Sequence, residues 1–126
     1  MWALAHHTRL KRGVGPKRGR VMIVKSANAK FREFYGVQLQ VLASGPKSMV
    51  CKMLYKKTDS VPAHMHPNEQ SGYVISGKYR LKFGQYDQIL EPGDSYAIPE
   101  NVEHSFEILE AGEVIDVFTP IRQDYL

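Results

Sequence analysis

Hydrophobic and polar residues alternate in three stretches of the chain, and this period of two predicts β-strands. Val37, Leu39 and Val41 alternate with glutamines, and residues 78–83 and 106–109 repeat the pattern. Because successive side chains of a strand point to opposite faces, each stretch predicts a strand with one buried face. No stretch combines a helical hydrophobic period with helix-capping residues.

Turn signals separate these stretches at intervals of about 8–12 residues, as in antiparallel sandwiches and barrels. They are Ser44-Gly45-Pro46, Ser76-Gly77, Pro92-Gly93-Asp94, Pro99-Glu100-Asn101 and Ala111-Gly112. Pro92 followed by Gly93 is the order of a type II turn, in which glycine supplies the positive φ. The pattern therefore predicts an all-β, jelly-roll-like body. Residues 24–34 show no clear period, and we assign no element to them.

The chain has 126 residues, 43% of them hydrophobic, which suits a single globular domain. Its net charge of +4 is uneven, because residues 1–20 hold six of the 17 basic side chains and no acid. The rest of the chain has a net charge of −2, so a basic nucleic-acid-binding face is not expected there. We expect a basic leader over 1–21, flexible or serving as a docking arm, and one domain over 22–126.

Cysteine usage and hydropathy indicate the compartment. Cys51 is the only cysteine, which excludes an intrachain disulfide and multi-cysteine zinc sites and permits a reducing compartment. No apolar run approaches the ~18 residues of a membrane span. The sequence therefore predicts a cytoplasmic protein without a membrane partner. Apolar residues on both faces of several strands further predict a homodimer.

Histidines supply the first candidate chemistry. His64 and His66 alternate, so on a strand their imidazoles would project from one face like a pair of metal ligands. Gln70 has the same parity, although Pro67 intervenes. His104 lies 38 residues after His66, where a second hairpin could return it to the pair.

Two groups of spaced residues resemble the two signatures of the cupin family. They are His64, His66, Gln70 and Gly77 for the first signature, and Gly93, Pro99, Asn101 and His104 for the second. The resemblance implies a conical barrel of the double-stranded β-helix type. It also implies one divalent transition metal, which could be Mn, Fe, Co, Ni or Zn, with His64, His66, Gln70 and His104 as ligands.

The chain departs from the cupin signatures at two positions. Cupins commonly have glycine where this chain has Asn101, a residue that tolerates the left-handed conformation. They commonly have glutamate where this chain has Gln70. Three neutral imidazoles and a neutral amide leave the charge of a divalent ion uncancelled, so the ion should attract an anionic ligand. The alternative is that the histidines are a structural remnant in an empty barrel.

The end of the chain supplies the second candidate chemistry. Residues 114–118 are apolar on both faces apart from Asp116, and a carboxylate buried there costs several kcal/mol unless it finds a partner. Arg122 could fold back over Pro120 and form a buried ion pair with Asp116. Alternatively, both side chains reach the barrel mouth, where Arg122 binds a substrate carboxylate and Asp116 moves a proton.

Residues 64–126 resemble the small cupins of pectin degradation, which linearise 4,5-unsaturated uronates. This chain and those cupins share the His64–Gln70 pattern and the tail pattern from Asp116 to Leu126, from which this chain departs only at Gln123. The resemblance implies an enzyme acting on a small anionic sugar acid, with Asp116 and Arg122 catalytic and Phe118 and Arg122 binding substrate. The alternatives are a non-catalytic module that binds a metal or sugar acid and an iron-dependent dioxygenase. Tyr96 is interpreted as a core or rim residue.

Overall fold

The computed structural model describes residues 20–126, and ten strands form nearly all of its regular structure. They are β1 Lys30–Phe34, β2 Val37–Ser44, β3 Met49–Tyr55, β4 Ser60–His64, β5 Glu69–Val74, β6 Lys78–Phe83, β7 Tyr86–Leu90, β8 Ser95–Ile98, β9 His104–Glu110 and β10 Gly112–Thr119. Two short 3₁₀ helices, Ser26–Asn28 and Gln123–Tyr125, flank them.

The strands form two antiparallel sheets. One has six strands in the order β1-β2-β3-β10-β5-β8, and the other has four in the order β4-β9-β6-β7. Their buried side chains form one core cluster. This is the predicted all-β jelly roll of the double-stranded β-helix type.

The alternating stretches predicted as strands are confirmed as parts of β2, β6 and β9. In β3 the same alternation is complete, with every second residue buried from Met49 to Tyr55. Residues 24–34, which the sequence left unassigned, contain the 3₁₀ helix Ser26–Asn28 and the edge strand β1. The sequence of β1 has no clear hydrophobic period because none of its residues is buried: three are exposed and two are half-buried.

Two turns give the second cupin-like motif its shape. Gly93 has φ 96° and Asn101 has φ 59°, so both adopt the positive φ that the sequence predicted. The backbone N–H of Asn101 donates to the carbonyl of His66 at 2.8 Å. The left-handed turn therefore ties the second motif directly to the first.

Three expectations stay predictions. The leader over 1–21 lies almost wholly outside the described residues. The homodimer and the cytoplasmic location are the other two. Among residues 20–126, no helix is long and apolar enough to cross a membrane.

Candidate metal centre

Three histidines and one glutamine come together where three strands and the β4–β5 connection meet. His64 is the last residue of β4 and pairs in register with His104, the first residue of β9. Gln70 lies on β5. His66 lies in the connection between β4 and β5, so the prediction that it shares a strand face with His64 is wrong. Pro67 offers no backbone N–H and disfavours a continued ladder, which is why the strand ends early.

Main-chain carbonyls hold all three imidazoles in place. Each ring uses Nδ1 for a hydrogen bond to a carbonyl oxygen two residues away along the chain. The pairs are His64 with Pro62 at 2.9 Å, His66 with Asn68 at 3.0 Å and His104 with Val102 at 2.8 Å. Because a carbonyl only accepts, each Nδ1 carries the proton, and each Nε2 keeps its lone pair. This is the tautomer that binds a metal through Nε2.

The three rings are also kept neutral. One ring nitrogen of each histidine lies within 4.8 Å of those of the other two. Burial is the main cause that lowers the pKa of His64 and of His66, and burial lowers the pKa of His104 to about 4. Neutral imidazoles with inward lone pairs are the form required of metal ligands.

Two features of the described residues are explained by a cation at the centre of the cluster. His104 Nε2 is buried and has no hydrogen-bond partner among residues 20–126. His66 Nε2 lies 3.0 Å from Gln70 Oε1, although both atoms are acceptors in the tautomer described above. A metal ion between these lone pairs would satisfy all of them, so the donor set fits a divalent transition metal.

Asp116 lies in the interior beside Gln70. Its side chain is only 1% exposed and accepts a hydrogen bond from the Tyr96 hydroxyl at 2.5 Å. Burial raises the pKa of Asp116 to about 6, while hydrogen bonds from Tyr96 and Gln70 and the charge of Arg122 act in the opposite direction. The carboxylate that the sequence left without a partner is therefore held by two polar side chains.

Arg122 is buried at the same end of the barrel but does not pair with Asp116. Its guanidinium forms a two-pronged ion pair with Asp124, at 2.7 and 3.2 Å. The rings of Phe34, Phe118 and Tyr125 surround it, with centroids 5.0, 5.1 and 4.1 Å from Cζ. The buried Asp116–Arg122 ion pair considered from the sequence is not formed. The guanidinium pairs instead with Asp124, which is only two residues away.

One cavity joins these groups. Its lining includes His64, His104, Gln70, Asp116, Phe118 and Arg122, and its volume is about 20 Å³. A space of that size holds a water molecule but not a sugar. Phe34 and Tyr125 also line the cavity, beside the guanidinium of Arg122.

Comparison with known proteins places this arrangement in a family. Residues 52–118, more than half of the chain, match the cupin domain family. The chain belongs to the cupin family. A comparison with curated protein sequences found no match.

Solved structures show the same fold. An RmlC-like cupin from Shewanella frigidimarina is 25% identical, with a TM-score of 0.76 over 82% of this chain and 95% of that one. KdgF from Halomonas sp. is 26% identical, with a TM-score of 0.74 over 84% of this cupin and 100% of that chain. A predicted oxalate decarboxylase from Thermotoga maritima is 18% identical, has a TM-score of 0.68, and covers 79% and 99%. The resemblance to the uronate-linearising cupins found in the sequence is thereby supported.

Two residues of this cupin site were not identified from the sequence. Asn68 is 6% exposed; its carbonyl holds His66, and its side-chain amide donates to the carbonyl of Pro120 at 2.7 Å. It thus links the loop that carries His66 to the tail. Tyr96 is the other, since its hydroxyl contacts Asp116. The position of Asn68 between two motif residues was an available signal, whereas nothing in the sequence around Tyr96 separates it from other strand tyrosines.

Proposed function

We propose that this cupin binds one divalent transition metal through His64, His66, His104 and Gln70 and acts on a small anionic sugar acid. The specific reaction that we propose is the linearisation of 4,5-unsaturated uronates. The observation that carries the proposal is one cavity in which a donor set without a carboxylate adjoins a buried carboxylate and a buried guanidinium. The sequence resemblance and the similarity to KdgF support the choice of substrate.

Arg122 is suited to the substrate carboxylate. Its planar fork already binds the carboxylate of Asp124 through two nitrogens, so the same geometry can bind a uronate carboxylate. Phe118 packs beside the guanidinium, with its ring centroid 5.1 Å from Cζ. Because the cavity holds only a water-sized molecule, substrate entry requires the tail around Tyr125 to shift as Asp124 gives up its contact.

Asp116 is suited to proton exchange. In linearisation the bond between C1 and the ring oxygen breaks, the C1 hydroxyl loses its proton, and C4 gains a proton as the enol becomes a ketone. One group that accepts a proton and returns one balances the reaction without a co-reactant. When bound, the metal would polarise substrate oxygens and orient them.

The experiment follows the ultraviolet absorbance of the conjugated double bond in an unsaturated monouronate. Metal-replete wild-type protein should speed its loss beyond the spontaneous rate. Asp116→Asn, assayed at saturating metal, should abolish the acceleration because the amide cannot exchange the proton. The matched control is Asp87→Asn, which removes an exposed carboxylate paired with Arg80 and should leave the rate unchanged.

A second candidate is a module that binds a metal and a small anion without turnover. The cavity of about 20 Å³ favours it, since no sugar fits without movement of the tail. If the metal-replete wild type shows no acceleration over spontaneous ring opening, the uronate proposal is wrong and this second function is the better account.

A further inference from the structure

Three neighbouring strands bring Tyr96 and Asp116 together over a glycine. Gly72 on β5 lies opposite Tyr96 on β8 and opposite Asp116 on β10. Any Cβ at position 72 would overlap the phenol ring and the carboxylate. The missing side chain therefore makes room for the hydrogen bond from Tyr96 to Asp116, which is 2.5 Å long. That length is typical of a hydroxyl donating to an ionised carboxylate.

Gln70 occupies the adjacent position on the same face of β5, two residues from Gly72. Its amide has two different ends, and only the oxygen can bind a metal. The oxygen faces His66 Nε2 at 3.0 Å, toward the centre of the histidine cluster. Something must keep the amide in this orientation, because the flipped amide would donate to His66 Nε2 and turn its nitrogen toward the metal site.

Asp116 supplies that constraint. An ionised carboxylate only accepts, so it selects the NH₂ end of a neighbouring amide and leaves the oxygen pointing away. Hydrogen bonding from Gln70 lowers the pKa of Asp116, as expected of an amide that donates to the carboxylate. Tyr96 in turn occupies Oδ1 and restrains the carboxylate.

Building on the metal site of the proposed function, we propose that Tyr96 is a positioning residue that, together with Asp116, holds the Gln70 oxygen toward the metal. The Tyr96 hydroxyl donates to the Asp116 carboxylate, and the Gln70 amide interacts with both groups. Glutamate has two equivalent oxygens and needs no such orientation, so this device matters only in a cupin with an amide at position 70.

The experiment measures Co²⁺ affinity by titration of the metal-free protein, with the visible absorption of bound Co²⁺ reporting its ligand geometry. Tyr96→Phe should weaken Co²⁺ binding about tenfold and alter the spectrum, as expected when a residue that orients a metal ligand is lost. The control is Tyr79→Phe. Tyr79 is a fully buried tyrosine whose hydroxyl donates to the carbonyl of Ser76 at 2.8 Å, outside the metal cavity. This variant should lower the melting temperature without changing Co²⁺ affinity.

A double-mutant cycle separates orientation from general damage. In a Gln70→Glu background, Tyr96→Phe should leave Co²⁺ affinity unchanged, because no amide remains to be oriented. The proposal is overturned if Tyr96→Phe binds Co²⁺ like wild type, or if it loses the same affinity in both backgrounds. Wild type that binds no Co²⁺ would overturn both this proposal and the metal site. Normal Co²⁺ results without uronate turnover would remove only the proposed reaction.

Discussion

The histidine cluster and the C-terminal tail lie at the same end of the barrel, but different kinds of contact hold them. Main-chain carbonyls fix each imidazole, so the orientation of Nε2 is set without a bound metal. Arg122, by contrast, is held by another side chain, Asp124, and by aromatic rings. A donor set fixed by the backbone is preorganised, whereas a guanidinium held by an exchangeable carboxylate can change partners. We therefore expect metal binding to depend on geometry already present, and substrate binding at Arg122 to depend on exchange of its partner.

The largest expected effect is on metal content. His66→Ala removes a preorganised ligand and also the atom that Gln70 faces, so metal bound per chain should fall from about one in wild type to a small fraction. Elemental analysis of untagged protein, after incubation with Mn, Ni or Zn and removal of free ions, measures it. A wild-type value near zero under these conditions would contradict the preorganised cluster.

Acid should lower the stability of the metal-free protein, because protonation of the three histidines favours the unfolded chain. The pKa of His104 is lowered to about 4 by burial, and burial also lowers the pKa of His64 and of His66. Below their usual pKa of about 6.5 the unfolded chain binds more protons at these rings than the native state. Their contribution to stability is present above that pH and is lost as the pH falls.

Asp116 acts in the opposite sense over part of this range. Its pKa is raised to about 6, so between about 4 and 6 the native state holds a proton that the unfolded state has released. Three imidazoles outweigh one carboxyl, and the melting temperature of metal-free protein should fall between pH 7 and pH 5. His104→Gln should flatten this dependence. A metal-free wild type that melts higher at pH 5 than at pH 7 would contradict the assignment.

The same contrast explains what the sequence could predict. The resemblance to the cupin signatures predicts His64, His66, Gln70 and His104 as one site, and the structure brings all four together. Positive φ at Gly93 and Asn101 was predictable because few residue types tolerate it. These features depend on local chemistry and strand period, which the residues themselves carry.

Partnerships between side chains were harder to predict. The sequence predicts that the Asp116 carboxylate needs a partner, but the partners are Tyr96 and Gln70 rather than the nearest cation in sequence, Arg122. Tyr96 reaches it because β8 and β10 lie on either side of β5, an order that follows from the sheet topology rather than from spacing along the chain. Long-range strand order decides the Tyr96–Asp116 pair, and a single sequence does not encode it in a readable pattern. Arg122, by contrast, contacts Asp124 only two residues away.

Arg122→Lys tests the tail with an intermediate effect. Lysine keeps the charge but loses the two-pronged grip on a carboxylate, so KM for an unsaturated monouronate should rise about tenfold, more than kcat falls. Metal content should stay at the wild-type value, since Arg122 is not a metal ligand. If the variant instead loses metal, the tail and the cluster are coupled more closely than their contacts indicate.

Asp124→Asn should have the smallest effect, and in the opposite direction. The carboxylate of Asp124 occupies the fork of Arg122 in the substrate-free protein, at 2.7 Å, and must leave before a substrate carboxylate can bind there. Its side chain is 57% exposed, so the ion pair is partly screened and its loss should cost little stability. An amide competes less well for the guanidinium, and KM should fall by about two- to threefold, the change expected of a weak ion pair. Steady-state kinetics at saturating metal measures it, with Asp87→Asn as the exposed-carboxylate control. A rise in KM would mean that Asp124 positions Arg122 for the substrate, in which case the tail is preorganised as the histidine cluster is.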